Sequence, residues 1–347
     1  MRSHLRTVVV VVLALALLGL FLRNVDFSGV ARAIVHAHPG WLLLSLATML
    51  LNLVIRAWRW QFLLEPLGKA SFANSFRATA VGFAARSFLP AAAGELVRPY
   101  FLSRREPMSA TGAFATIVIE RLLDTITVLV LLASYVLVFG RDMRDVNPAA
   151  LTAVKWAGVV AGGISVGALV VLFAMAGNPG RLAAMFRRLE QVVPSAFAGL
   201  IARIAEKFAT GLGAIRRPGQ IVATLFWSFP LWLCIALGIW AAARAFDLNV
   251  PFSGSFLIIA LLTIGIAIPT PGSVGGFHEM FRLGVTVFYG APDSAAVGAA
   301  IVLHAMSVGS PLVLGVFFAA QEGLNLSGIR HLANQAESEP ARAGRTA

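Results

Sequence analysis

Charge is scarce in this chain. Asp, Glu, Lys and Arg make up 13% of its 347 residues and apolar types 58%, against roughly 25% charged in a soluble domain. A soluble fold of this length could not hide that much apolar surface, so the composition excludes an ordinary globular protein. Cysteine is almost missing: with Cys234 alone, an internal disulfide and a thiolate metal cluster are excluded. His36 and His38 lie two apart without acidic or thiol neighbours, which reads as loop polarity rather than a metal site. His-Glu-x-x-His, a phosphate-binding loop and a dinucleotide fingerprint are all lacking. That leaves no motif for a zinc hydrolase, a dinucleotide cofactor or a nucleotide-driven pump. The net charge of +12 would suit nucleic acid, but the Lys and Arg sit in loops between apolar blocks without interleaved stacking aromatics, which argues against it.

The apolar blocks carry the fold. Residues 7–22 follow a basic stub and have the form of either a signal peptide or a first membrane helix. Arg23, Asn24 and Asp26 directly after them favour the helix, because a cleavage site needs small residues there. Further spans are expected over 41–55, 113–139, 156–176, 221–243 and 295–320. Trp41 and Trp156 open two of these, as indole rings do at headgroup level. Two other apolar stretches, 71–102 and 251–289, are interrupted, the first at Pro90 and Gly94, the second at Pro269, Pro271, Gly272, Gly275 and Gly276. Each reads as helix, break, helix, a re-entrant hairpin.

The expected architecture is all-α and polytopic, about six full spans plus two oppositely oriented re-entrant hairpins, or eight spans if the hairpins cross. It forms one domain over 1–330, followed by a disordered tail over 331–347. With the N-terminus inside and each hairpin returning to its own side, 20 Lys and Arg fall inside, seven outside and Arg121 within a span. That bias satisfies the positive-inside rule and places both termini in the cytoplasm. The polar connection 181–217 has the spacing of an amphipathic helix on the cytoplasmic surface.

The interrupted stretches resemble each other. Leu89-Pro90 leads to Gly94-Glu95-x-x-Arg98, Ile268-Pro269 leads to Glu279-x-x-Arg282, and a small-residue segment follows each. On the assigned topology the copies are inverted, an arrangement common in transporters, where broken helices meet near the midplane. Ionisable residues at that depth are costly and carry either a task or a partner. Glu95 and Arg98 share a helix face, as do Glu279 and Arg282, and Glu120 and Asp124 flank Arg121 on the next span. They are either buried salt bridges that hold the hairpins to the spans, or a site in which Arg98, Arg121 and Arg282 grip a phosphate while the carboxylates keep them paired when it is empty. The second copy has no match for Glu120-Arg121 and offers His304 nearby.

These motifs, with Asn52-Leu-Val-Ile-Arg56-Ala-Trp-Arg59-Trp60 before them and Pro269-Thr-Pro-Gly272-Ser-Val-Gly275-Gly276-Phe-His-Glu279 after, resemble the lysylphosphatidylglycerol synthase transmembrane-region family over residues 5–325. The resemblance implies a protein of the bacterial inner membrane that moves lipids between leaflets. No aminoacyltransferase domain follows the membrane region, so a stand-alone member is expected and lipid lysylation does not carry over. His304 stands where the family often has arginine. The function expected is translocation of an anionic phospholipid or of a polyprenyl- or hopanoid-type lipid, by a protein that is not an enzyme. The rival is a non-transporting accessory subunit, with a lipid-biosynthesis enzyme as its partner.

Overall fold

Apolar runs too long for a soluble helix become the frame of the molecule. The computed structural model describes residues 18–19, 21–22, 25–88, 91–138, 148–177, 218–268 and 270–322, which contain helices and no strand. Most of the expected first span, the amphipathic 181–217 segment and the 331–347 tail lie outside these residues. A short helix, α1 (Phe27–Val35), is capped by Asp26, whose carboxylate accepts from the Ser28 backbone N–H. Among the described residues four helices are long and apolar enough to cross a membrane: α2 (Pro39–Leu64), α5 (Ala110–Val138), α7 (Pro218–Ala245) and α10 (Asp293–Gln321). Between them, α6 (Pro148–Gly177) covers the span expected over 156–176 and packs along α5. Leu43, Leu137, Trp156, Val222, Phe226 and Val313 are exposed on the outer surface. That is the reverse of a soluble protein and the pattern of a lipid-facing one.

The broken segments form pairs of short helices, α3 (Phe72–Phe88) with α4 (Ala91–Ser103), and α8 (Gly254–Ala267) with α9 (Gly276–Tyr289). Helices of 17 and 14 residues extend about 25 and 21 Å, short of the roughly 30 Å hydrocarbon layer. Both ends of the first pair lie at one end of the bundle. There the Ser71 backbone N–H and the Asn74 amide donate to Glu106 at 2.9 and 2.7 Å, and Arg105 pairs with Glu322 beyond α10. Both ends of the second pair lie at the opposite end. Here Tyr135 and Tyr289 share a hydrogen bond of 2.6 Å, the His38 N–H donates to the Ala245 carbonyl at 2.9 Å, and Gly254 packs on Tyr289. Each pair is therefore a hairpin that returns to its own side, and the two enter from opposite sides.

The repeat is larger than its hairpins. Each copy is a long helix, a hairpin and a second long helix: α2 to α5, then α7 to α10. The opening helices α2 and α7 lie along one another, α3 packs on α10 of the other copy, and α8 on α5. The hairpin tips meet. The turn Pro271–Ser273 packs on α3, with Gly272 beside the Ser87 carbonyl.

The second break is built from left-handed backbone. Gly272 and Gly275 take φ of 61° and 86° around Ser273 at 59°, conformations that cost a residue with a Cβ about 1 kcal/mol or more. Pro90 and Pro269 lie outside the described residues, and Gly94 falls in the first turn of α4. Just below the second tip the two half-helices touch through bare backbone: a Cβ added at Gly265 would overlap the Gly276 carbonyl, and one at Gly276 the Gly265 carbonyl. Gly265→Ala should therefore destabilise the protein by about 1–3 kcal/mol through overpacking. Gly163→Ala on α6, where a Cβ meets nothing within 4 Å, should be neutral or slightly stabilising. Thermal unfolding of the two variants in one detergent checks the contrast, and equal melting temperatures would contradict it.

Candidate functional site

Helical spacing presents the charges. Arg56, Arg59 and Trp60 stand at i, i+3 and i+4 on α2, and Glu120 and Asp124 at i and i+4 on α5, so each set occupies one face. The faces meet, and Arg98 joins them from α4. Arg56 donates to Glu120 and Asp124, each at 3.1 Å. Arg59 donates to Asp124 and to the Ser228 hydroxyl of α7, both at 2.6 Å. Arg98 reaches both Glu120 oxygens at 3.1 Å and lies 3.8 Å over the Trp60 ring. Arg121 donates to Glu120 at 2.7 Å, and the Trp232 indole of α7 to Asp124 at 3.1 Å. Glu120 and Asp124 lie roughly 15 and 21 Å along α5, near the middle of its 29 residues.

Two carboxylates thus serve four guanidiniums. Beside them Arg86 of α3 pairs with Glu95 of α4 at 3.4 Å, which adds one charge of each sign. The formal balance of the group and this neighbouring pair together is an excess of two positive charges. Several guanidinium nitrogens, among them Nε of Arg56, Arg98 and Arg121, are buried without a hydrogen-bond acceptor. In a low-dielectric interior an unbalanced and unsatisfied cation group is expensive unless an anion completes it.

A cavity of about 430 Å³ opens against this group where the hairpin tips meet. Arg56, Arg86, Glu95, Arg121 and Asp124 are the charged residues of its wall; Glu120, Arg59 and Arg98 stand behind them. The Arg121 side chain is 38% exposed, whereas Glu120 is fully covered. The other copy supplies an apolar wall from α7, α8 and α10, including Ile235, Ile259, Leu262 and Leu303, together with Thr270, Gly272, Ser273 and His304. His304 Nε2 lies 2.7 Å from the Gly272 carbonyl. A carbonyl only accepts, so this nitrogen carries the proton and ties α10 to the second break. The His304 ring also sits 4.3 Å from that of His278.

The residues singled out in the sequence therefore divide. Arg98, Arg121, Glu120 and Asp124 come together, and Glu95 faces the same cavity, but its partner is Arg86 on the other arm of the hairpin rather than Arg98 on its own helix. Arg98 is turned inward, where Glu120 and Trp60 hold it more strongly than a neighbour three residues away. Glu279 and Arg282 do pair, at 3.7 Å, but outside the cavity wall; Arg282, halfway along α9, also donates to Asp293 at 2.6 Å and to the Phe21 carbonyl at 3.1 Å and so turns toward the outer end of the second hairpin. Arg56, Arg59 and Arg86 were not expected in the site. Arg56-x-x-Arg59-Trp60 at the end of an apolar run was the available signal: cations on one helical face with an indole that can stack on a guanidinium.

Residues 7–315 match the family described as the lysylphosphatidylglycerol synthase transmembrane region. Two curated proteins are similar. One is the UPF0104 membrane protein MJ1595 of Methanocaldococcus jannaschii, 31% identical over 104 residues, which are 29% of this chain and 31% of that protein. The other is the glycosyltransferase AglD of Haloferax volcanii, 26% identical over 346 aligned positions, covering 88% of this chain and 52% of that protein. The chain thus spans about half the length, or less, of these relatives. The match runs through both long-helix-and-hairpin copies and the cavity between them, and the chain, a multi-pass membrane protein, belongs to the lysylphosphatidylglycerol synthase transmembrane-region family.

Proposed function

We propose that this protein moves an anionic lipid headgroup between the leaflets of a membrane, and that the cavity between the hairpin tips is where the headgroup is held. The observation that carries this reading is the positively charged wall at mid-span, placed where hairpins from opposite ends touch. A headgroup there is equidistant from both sides, and freeing either hairpin tip would open a route to one of them. Arg121, with Arg56 and Arg86, would receive the phosphate, while Arg98, Glu120 and Asp124 position them. Arg282 would act at the outer mouth of the second hairpin rather than at the midplane. The protein supplies a path and no chemistry, in a bacterial inner membrane with both termini in the cytoplasm, as the Lys and Arg distribution favours.

The test is reconstitution of the full chain in liposomes with fluorescent phosphatidylglycerol or phosphatidylcholine and leaflet-specific quenching. Faster movement of the anionic lipid than in empty liposomes is expected, with the zwitterionic lipid near background; background rates for every anionic lipid tried would refute the reading. The resemblance to a glycosyltransferase supports a second reading, in which the domain holds a lipid carrier for a lipid- or glycan-modifying partner. Binding without translocation, together with stable co-purification of such an enzyme, would select it.

A further inference from the structure

The identity of the bound group can be narrowed from the charge and shape of its site. We infer that the cavity selects a lipid ending in a phosphate monoester, a dianion, over the monoanionic phosphodiesters of ordinary phospholipids; this rests on the reading of the cavity as a headgroup site. Three features of the wall point the same way. The charged residues in and behind the wall have two uncompensated positive charges. A diester neutralises one of them, whereas a monoester carries about −1.5 to −2 near neutral pH and neutralises both. Arg56, Arg86 and Arg121 approach the cavity from three different elements, α2, α3 and α5. Three separate guanidiniums suit the three terminal oxygens of a monoester, where a diester offers two. Space is also limited. A cavity of about 430 Å³, walled on the far side by Ile235, Ile259, Leu262 and Leu303, holds a phosphate and the first part of an apolar chain, not a large glycan.

The other groups facing the phosphate position do not change the balance. Glu95 and Asp124 are already counted, the Nε2–H of His304 is taken up by the Gly272 carbonyl, an imidazole has its ordinary pKa well below the pH 8 of the test below, and the remaining polar side chains of the wall are uncharged.

Phosphatidic acid and phosphatidylmethanol differ by one methyl group and one charge, so they isolate the variable. Binding of each to the purified full chain in nanodiscs should be measured by displacement of a fluorescent phosphatidic acid at pH 8, about two units above the second pKa of a monoester near 6. Phosphatidic acid should bind about tenfold or more tightly. Arg86→Gln lowers the excess to one and should shrink that ratio; Glu95→Gln raises it to three and should widen it. Damage to the fold would move both ratios the same way, so shifts in one direction, or equal binding of the two lipids by the unmodified protein, overturn the inference. Inorganic phosphate distinguishes the source: competition at concentrations as low as those of the lipid would make free phosphate the ligand and overturn the lipid assignment. If both lipids bind and cross equally, only this selectivity fails. If no anionic lipid is bound or moved, the proposed function fails with it.

Discussion

Glu120→Gln should cost the protein more stability than any other single change at the cluster, about 3–5 kcal/mol, the range for breaking a buried ion pair from one side. Glu120 accepts from Arg56, Arg98 and Arg121 at 3.1, 3.1 and 2.7 Å and has Arg59 at 3.4 Å. It thereby ties the first hairpin, through Arg98, to α2 and α5. Glutamine keeps the shape but removes the charge, leaving Asp124 to balance four guanidiniums. One of its oxygens also becomes an NH₂ facing donors, which adds unpaired polar groups to an interior that already has several. Thermal unfolding of the purified variant, or its folded yield from membranes, measures the effect. A loss below about 1 kcal/mol would mean that the arginines do not depend on this carboxylate and that the cluster is assembled some other way.

Arg121→Gln should do the opposite, with little change in stability and a large change in activity. Arg121 faces the cavity and is the most exposed of the four guanidiniums; without it, Glu120 retains Arg56 and Arg98. Its loss removes a charge-assisted contact to the headgroup of about 1.5–3 kcal/mol. That corresponds to translocation of an anionic lipid slower by about 10- to 100-fold. Arg121→Lys keeps the charge but not the planar fork and should recover part of the rate. Initial rates in liposomes at matched protein density decide it. Wild-type rates from a well-folded Arg121→Gln protein would remove Arg121 from the headgroup path.

The overall plan was legible because it rests on hydropathy and on Pro and Gly, which act locally. The interrupted stretches fold as hairpins, and the breaks at Gly272 and Gly275 fall where backbone with positive φ is needed. What sequence spacing does not specify is the choice of partner. Glu95 and Arg98 are correctly placed to pair along a helix, yet each finds a stronger partner on another element. For the same reason the span expected to stop at residue 55 continues as α2 to Leu64: Arg56 looks like the end of an apolar run when alone, but buried carboxylates of α5 allow the helix to carry it onward. Arg56, Arg59, Arg86 and Arg98 are among the 20 Lys and Arg assigned to the inside. Removing these four leaves 16 inside against seven outside, so the bias survives their burial. The two-copy pattern also hides an inequality. Glu279-x-x-Arg282 repeats Glu95-x-x-Arg98 in sequence, but α10 has His304 and no carboxylate at mid-span, and Arg282 turns outward to Asp293 at the start of that helix.

The meeting of the hairpin tips has an electrical consequence. Neither hairpin crosses, so if water follows each one in to its tip, the two sides are divided at the contact of Gly272 with the Ser87 carbonyl and not by a full helix length. A transmembrane voltage falls most steeply where the barrier is thinnest. An anion passing the tips would therefore traverse most of that voltage in a short step, worth about 2.3 kcal/mol per elementary charge for each 100 mV. In an energised membrane, negative inside, a dianion would be driven outward by twice that amount and opposed equally on return, so the resting potential alone would give such a passage a direction.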